Sequence, residues 1–277
     1  MDDAASVARA IDDQALEQRF LAAQAIAREA GQLALRVRAA PETLGIALKG
    51  PQDFVTEADR AVERLIRARL EAAFPEDAII GEEYAPTGAV TENPVIWAID
   101  PIDGTANFAA GRHDWCVSIG AIVAGRPEIG VIHHPALDDL YAARRGRGAT
   151  RNGTPIAVRD VPSLADATLC LEYSVGTPID RYLGMLEPLL RAGGEYRRNG
   201  SAAISLAQIA AGTLDGFVEI TLNVYDVLAG IVLIQEAGGW TNDFLAAPAA
   251  LTEGNVMIAS VPGIESEWRA MCGLTEA

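Results

Sequence analysis

The stretch WAIDPIDGTANF, residues 97 to 108, places two carboxylates three positions apart at the end of an apolar run. Side chains alternate between the two faces of a strand, so Asp100 and Asp103 can meet only if the strand is interrupted between them. Pro101 lacks the N–H that would extend the ladder, which predicts that the strand stops there. The chain would then turn and bring Asp103 back beside Asp100.

Two carboxylates forced together repel each other, and a cation between them removes that cost. The Ile102 carbonyl can face the same point, and ligation by oxygen alone suits Mg²⁺ better than zinc. Gly104 permits a close approach of the backbone, and residues 105 to 108 can begin a helical turn whose free N–H groups attract an anion. The stretch therefore predicts a divalent-cation site with an anion site behind it. An EF-hand is excluded, because its ligands alternate with a different spacing.

A structural interpretation stays open for each acidic segment taken alone. Asp-Gly after an apolar run is ordinary turn chemistry, and Glu82 and Glu83 could lie in a solvated turn. Asp226 begins an apolar helix, where the helix dipole would favour it. Asp59 could complete a capping box with Thr56. The joint occurrence of these segments favours a shared site.

The elements that must position these residues are mixed in type. Apolar residues at helical spacing predict helices over residues 14–38 and 56–74. Short β-rich segments separated by turn residues predict an antiparallel meander from 115 to 158. Strands and helices then alternate. The predicted fold class is mixed α/β: an antiparallel sheet with helices, followed by a smaller alternating α/β half, with the boundary near residue 155.

The composition narrows the function further. The chain has 277 residues, half of them hydrophobic, which allows one large domain or two intimate ones. A formal charge of −16 argues against a protein that binds nucleic-acid backbone. The three cysteines are scattered without a CxxC pair, so neither a disulfide framework nor a zinc site is expected. An apolar leader and a run of about 18 apolar residues are both missing, which predicts a cytoplasmic protein that does not bind membranes.

Five segments together resemble the inositol monophosphatase family, whose superfamily includes fructose bisphosphatases and nucleotide 3′-phosphatases. They are DFVTEAD, GEE, WAIDPIDGTANF followed by VSIGAI, RRNGSAA, and YDVLAGIVLIQEAGG, and they span roughly residues 49 to 239. The resemblance implies a layered α-β-α-β-α sandwich, one compact unit with halves 1–155 and 156–277. Tyr225 departs from the family pattern, which usually has Trp before the aspartate; we expect altered packing around Asp226 without loss of a ligand.

The resemblance also implies roles by position. The implied metal ligands are Glu82, Asp100, Asp103, Asp226 and the Ile102 carbonyl. Asp59 and Thr105 would orient the attacking water, with help from Glu82. The implied substrate contacts are Asp103, Gly104, Thr105, Gly200, Ser201, Ala202, Glu219 and Asp226. Gly104 and Thr105 would donate backbone N–H groups to the phosphate, whereas Gly200–Ala202 and Glu219 would contact the alcohol portion. Lys49 is placed at the mouth of the site.

The function implied is a Mg²⁺-dependent phosphatase that hydrolyses a small phosphate monoester by in-line attack of metal-activated water. About two or three Mg²⁺ ions are expected, with Mn²⁺ as a substitute. The implied partner is a small phosphorylated polyol or sugar, inositol monophosphate above all, and a lithium-sensitive homodimer is implied too. Fructose 1,6-bisphosphatase, 3′-phosphoadenosine 5′-phosphate phosphatase and histidinol phosphatase remain alternatives. A binding partner of the transcription machinery is the alternative of a different class.

Overall fold

The computed structural model of the chain describes residues 11–40, 47–50, 53–90, 93–174, 177–247 and 249–273. Within these ranges the chain forms seven α-helices: α1 (Asp13–Arg38), α2 (Glu57–Ala73), α3 (Thr105–Ala109), α4 (Ile179–Ala192), α5 (Ala202–Ala210), α6 (Val224–Glu236) and α7 (Glu265–Met271). It also forms fourteen strands: β1 (Ala47–Gly50), β2 (Asp53–Val55), β3 (Ala78–Gly81), β4 (Val95–Asp103), β5 (Cys116–Val123), β6 (Arg126–His134), β7 (Asp139–Arg144), β8 (Ala149–Arg151), β9 (Thr154–Ile156), β10 (Thr168–Leu171), β11 (Glu195–Arg197), β12 (Gly216–Leu222), β13 (Trp240–Thr241) and β14 (Asn255–Ser260).

The larger sheet has seven strands in the order β3-β4-β5-β6-β7-β8-β9. Strands β3 and β4 are parallel, and each later neighbour is antiparallel, which confirms the predicted meander. The smaller sheet has the order β11-β10-β12-β14-β13. Its first three strands are parallel and β14 is antiparallel to both of its neighbours. Strands β1 and β2 pair with each other.

Helices and sheets alternate in five layers. Helices α1 and α2 cover one face of the larger sheet, where Ile66 packs in the same buried cluster as Trp97. Helices α5 and α6 lie between the sheets, in a cluster that includes Leu228 and Phe217. Helices α4 and α7 cover the outer face of the smaller sheet around the buried Trp268. This arrangement confirms the layered α-β-α-β-α fold.

Two glycines let α6 lie directly on the larger sheet. A Cβ at Gly130 would lie 2.3 Å from the Ala229 carbonyl oxygen, and one at Gly120 would lie 2.8 Å from Leu228 Cγ. Any side chain at these strand positions would push the helix away. The close approach of α6 matters because its first turn carries Asp226.

The predicted halves 1–155 and 156–277 stay a prediction. Along the chain, the last strand of the larger sheet ends at Ile156 and the first strand of the smaller sheet is β10. However, α6 from the second half packs on the larger sheet. Among the described helices, none combines the length and the apolar character needed to cross a bilayer.

Candidate active site

Strand β4 does not stop at Pro101 as predicted but continues through a bulge to Asp103. Asp100 pairs with Ser118 and Asp103 pairs with Cys116, so three steps along β4 face two steps along β5. Cys116 and Ser118 share a face of β5, and the extra residue in β4 therefore puts both aspartates on one face as well. The carboxylates meet because of a bulge and not because of a strand end.

Asp226 joins these two aspartates from the first turn of α6. One carboxylate oxygen from each of Asp100, Asp103 and Asp226 lies within 4.8 Å of the other two. Asp226 is held there by a capping box, in which its Oδ2 accepts from the Asn223 N–H at 2.7 Å. Asp100 Oδ1 accepts from the Ile102 N–H at 2.9 Å. Backbone donors thus fix two of the three carboxylates.

The charges in this cluster are poorly compensated. Burial raises the pKa of Asp100 well above its ordinary value, and repulsion from Glu82, Asp103 and Asp226 raises it further. The pKa of Asp226 is raised well above its ordinary value for the same reasons. Burial raises the pKa of Asp103 to about 6, against the hydrogen bond from Ser201. A hard cation among these oxygens would relieve both the repulsion and the burial cost, so the donor set fits a divalent ion.

Glu82 lies in the loop after β3, close enough to raise the pKa of both Asp100 and Asp226. The loop is held from α2 by Glu63, a fully buried residue whose Oε2 accepts from the Glu83 N–H at 2.7 Å. Arg67 donates from Nε to Glu63 Oε1 at 2.7 Å. A buried ion pair on α2 therefore positions the segment that carries Glu82.

Asp59 and Thr105, the pair predicted to orient the attacking water, are in direct contact. Thr105 Oγ1 lies 3.1 Å from Asp59 Oδ1 and 2.9 Å from the Ile102 carbonyl oxygen. Asp59 Oδ2 accepts from Thr56 through both N–H and Oγ1, at 2.7 and 2.6 Å. Burial raises the pKa of Asp59, while the hydrogen bonds from Thr56 and Thr105 lower it. Asp59 thus both completes the capping box of α2 and contacts the candidate site.

Gly104 adopts a left-handed conformation with φ of +90°, directly before α3. A Cβ there would lie 2.8 Å from the Asp114 carbonyl oxygen, so a side chain would collide with the rim of the site. Asn107 Nδ2 donates to the carbonyl oxygens of Asp114 at 2.7 Å and Asn199 at 2.8 Å. One amide side chain therefore ties α3 to the loop before α5.

That loop carries the predicted Gly200 and Ser201 and leads through Ala202 to the donors that hold Asp103. Ser201 Oγ donates to Asp103 Oδ2, and the Ala203 N–H donates to the same oxygen at 2.9 Å. Ser201 is the N-cap of α5, and Ala202 begins that helix. Asp103, which lies in the larger sheet, is therefore held by the start of a helix from the second half of the chain.

Glu219 lies on β12 and is buried. Ser174 Oγ donates to its Oε1. Burial raises the pKa of Glu219 to about 8, and the nearby charges of Glu172 and Asp103 contribute. The side chain of Lys49 falls outside the described residues, so its predicted place at the mouth stays a prediction.

Two buried acids near the site were missed by sequence reasoning. Glu63 lies on the apolar face of α2 beside Val62 and Ile66, and Glu172 follows the apolar strand β10. An acid on an otherwise buried face is the signal that could have found them, because such residues stay buried only when they are paired.

Residues 15–274 match the family model described as the inositol monophosphatase family. The chain belongs to the inositol monophosphatase family. It is therefore a phosphoric monoester hydrolase. The family predicted from the motifs is confirmed. It is a family of metal-dependent phosphatases, and in this chain the cluster of Asp100, Asp103 and Asp226 could hold the metal.

Curated relatives carry two kinds of name. The chain is 36% identical over 234 residues to "Nus factor SuhB" of Escherichia coli K12, covering 83% of this chain and 87% of the relative. It is also 36% identical over 244 residues to "Inositol-1-monophosphatase" of Rhizobium meliloti, covering 86% and 87%. The same family thus includes relatives named for an enzymatic activity and relatives named as Nus factors.

Solved structures share the fold. An extragenic suppressor protein suhB from Bartonella henselae matches with a TM-score of 0.85 and 30% identity, covering 92% of this chain and 98% of that one. An inositol monophosphatase from Anabaena matches with a TM-score of 0.79 and 30% identity, covering 94% and 97%.

Proposed function

We propose that the chain is a Mg²⁺-dependent phosphatase that hydrolyses a small polyol monophosphate, inositol monophosphate first. The observation that carries this proposal is the cluster of Asp100, Asp103 and Asp226, which bring one carboxylate oxygen each within 4.8 Å of one another. Helix α3 begins just after Asp103. Asp100 and Asp103 are buried and Asp226 is half-buried, and all three have raised pKa values. Such a cluster calls for a cation, and a cation in turn makes room for a phosphate dianion.

The residues that would hold the metal are Glu82, Asp100, Asp103, Asp226 and the Ile102 carbonyl. All are oxygen donors, which fits Mg²⁺ with Mn²⁺ as a substitute. When bound, about two or three such ions would supply charge neutralisation, a more acidic water and stabilisation of the leaving oxygen. The Ile102 carbonyl keeps a second lone pair beyond its contact with Thr105.

The protein groups position water and phosphate. Asp59 is fixed by Thr56 through two hydrogen bonds and presents Oδ1 to Thr105 Oγ1. The Thr105 hydroxyl donates its one proton to Asp59 Oδ1 or to the Ile102 carbonyl oxygen, so its lone pairs are free to accept from a water and orient it. The N–H groups of Gly104 and Thr105 at the start of α3 would donate to the phosphate oxygens.

The alcohol side of the site favours a neutral polyol over a bisphosphate. Arg197 and Arg198 are the motif residues that could bind a second phosphate. Arg197 pairs with Glu195, and Arg198 contacts Glu172 and donates to the Tyr173 carbonyl oxygen. Both guanidinium groups are thus already engaged. The buried carboxyl group of Glu219 suits a substrate hydroxyl, and the nearby Glu172 carboxylate disfavours a second phosphate.

A comparison of kcat/KM on four substrates tests the proposal: inositol 1-phosphate, fructose 1,6-bisphosphate, 3′-phosphoadenosine 5′-phosphate and histidinol phosphate. Each is assayed with Mg²⁺ and with EDTA. We expect the highest value for inositol 1-phosphate and no turnover in EDTA. If the protein with Mg²⁺ releases no phosphate from any inositol, sugar or nucleotide monoester, the proposal fails.

A second candidate function is that of a Nus factor, because relatives from Escherichia coli and Pseudomonas aeruginosa carry that name at 36% and 38% identity. Helix α4 exposes Ile179, Leu183 and Leu190, an apolar surface available to a protein partner. Capture of partners from a lysate, run beside the phosphatase assay, separates the two roles. Loss of capture on Leu183→Glu with full activity would show that the roles use different surfaces.

Three finer properties implied by the family stay predictions of this proposal. A homodimer is tested by sedimentation equilibrium, inhibition by lithium through titration of Li⁺ into the assay, and cytoplasmic location by fractionation. The charge of −16 still argues against a nucleic-acid partner.

A further inference from the structure

Glu172 is a buried carboxylate that lies outside the aspartate cluster. It follows β10 and is only 4% exposed. Its Oε1 accepts from the N–H groups of Asn199 and Gly200, both at 2.7 Å. Its own N–H donates to the Val218 carbonyl oxygen at 3.0 Å, which fixes its backbone against β12. A rigid strand end therefore holds two consecutive amides of the loop before α5.

The second oxygen of this carboxylate faces a cation. Arg198 Nε lies 3.6 Å from Glu172 Oε2, and Arg198 Nη2 donates to the Tyr173 carbonyl oxygen at 2.9 Å. A buried carboxylate without partners would be costly, and here two amides and a guanidinium satisfy it. One side chain thus contacts three consecutive residues, 198 to 200.

The held segment leads directly to Asp103. Gly200 adopts a φ of +72°, and Ser201 follows it as the N-cap of α5. Ser201 Oγ and the Ala203 N–H both donate to Asp103 Oδ2. A shift of the 198–200 segment would therefore move both donors on that oxygen together.

We propose that Glu172 is a positioning residue, which anchors the 198–200 segment so that Ser201 and Ala203 fix the orientation of Asp103. Its contacts are with the loop that carries Ser201, so it acts on the site through that loop. The activity readout of this inference rests on the proposed function, whereas its metal-affinity readout does not.

The test compares Glu172→Gln with Glu195→Gln. Gln keeps the shape of Glu172 and one acceptor oxygen, but it removes the negative charge. That charge faces Arg198 and strengthens the hydrogen bonds from both amides. Glu195 is a matched control, because it is an exposed glutamate on the adjacent strand β11 and pairs with Arg197. The measurements are Mn²⁺ affinity by titration calorimetry with Mn²⁺ alone, kcat and KM on inositol 1-phosphate, and the melting temperature.

Loss of a group that orients a metal ligand typically lowers metal affinity or activity by about 10- to 100-fold. We expect E172Q to bind Mn²⁺ at least about 10-fold more weakly and to lose kcat/KM to a similar extent, with E195Q within about twofold of wild type. A merely structural role would lower the melting temperature of E172Q and leave Mn²⁺ affinity and kcat/KM within about twofold of wild type. That outcome would overturn the inference.

A double-mutant cycle with Ser201→Ala tests whether Glu172 acts on Asp103 through Ser201. If Glu172 acts through Ser201, E172Q costs much less Mn²⁺ affinity in the S201A background than alone. Full additivity would contradict the inference. Should E172Q not fold, Glu172→Asp replaces it, since the carboxylate is kept at a shorter reach. A wild type that binds Mn²⁺ but hydrolyses none of the monoesters refutes the proposed function alone.

Discussion

Asp103→Asn should make the metal-free protein more stable while it destroys the activity. The side chain is buried, and burial raises its pKa from 3.8 to about 6. The folded state therefore binds more protons than the unfolded state between these two values. Stability contributed by this group is fully present below the unfolded pKa and is lost as the pH rises through the folded pKa.

The size of the effect follows from that difference in pKa. Roughly two pKa units correspond to about 3 kcal/mol of penalty for the ionised carboxylate at about pH 7.5. Asn keeps the shape and removes the charge. Its carbonyl can accept from Ser201 and Ala203 in place of Oδ2, and its amide can then donate towards Asp100 or Asp226. Neutral hydrogen bonds are weaker than charge-assisted ones, so we expect a net gain of about 2 kcal/mol.

The assay is urea unfolding in EDTA at about pH 4.5 and about pH 7.5, repeated with Mg²⁺. Without metal, Asp103→Asn should exceed wild type at the higher pH and differ little at the lower one. With Mg²⁺, wild type should gain more than the variant, and the variant should lose several orders of magnitude in kcat. Lower stability of the metal-free variant at the higher pH would refute the electrostatic reasoning, and more than about a tenth of wild-type activity would refute Asp103 as a ligand.

Asp215→Asn is the matched control for that experiment. Asp215 is also fully buried, but its carboxylate accepts from Arg159 Nη2 at 2.6 Å and from the Thr168 N–H at 2.6 Å. The same substitution here breaks an ion pair, so it should destabilise the protein by about 2 kcal/mol or more. Opposite signs at two buried aspartates would show that compensation, and not burial alone, decides the outcome.

Three further changes test other parts of the site. Gly104→Ala should lower stability by about 1–3 kcal/mol in a melting assay and lower kcat by at least about tenfold. The control is Gly146→Ala, which has a similar φ of +73° but no described heavy atom within 4 Å of its added Cβ. It should therefore show the backbone cost alone. Thr105→Val should lower kcat by about 100-fold or more with little change in melting temperature, and Thr105→Ser should restore most of the rate. Glu219→Gln should flatten the fall in metal-free stability that urea unfolding shows between about pH 4.5 and about pH 8, because the folded state keeps the Glu219 proton in that range and the unfolded state does not. Equal slopes for both proteins would contradict this.

Much of the fold was readable from local pattern. Helical spacing and the Thr56–Asp59 capping box predicted α2, and the structure contains both. The turn residues between 115 and 158 predicted the antiparallel meander, which is confirmed. These signals are local, and the contacts they predict lie within one helix or between strands that follow each other in the chain.

The geometry that brings the acids together was harder to foresee. Pro101 was expected to end the strand, since it cannot donate to the ladder, but a bulge accommodates it and the pairing resumes at Asp103. A bulge depends on the register with the neighbouring strand, which a single segment does not reveal. Glu63 and Glu172 were missed for a related reason, because the backbone amides that they bind lie 20 or more positions away. A side chain that satisfies distant backbone amides leaves little trace in its own neighbourhood of the sequence.

The way in which the aspartates are held explains how the fold tolerates them without neutralising them. Asp100 accepts from the Ile102 N–H through Oδ1, and Asp226 accepts from the Asn223 N–H through Oδ2. At Asp103 the donors from the start of α5 converge on Oδ2. Each carboxylate is thus fixed through one oxygen, and its second oxygen remains for a cation. An arginine in the cluster would stabilise the metal-free protein far better, but it would occupy the oxygens that a metal needs. A site built with backbone and hydroxyl donors keeps its orientation and its charge, and for that reason we expect it to be least stable when empty.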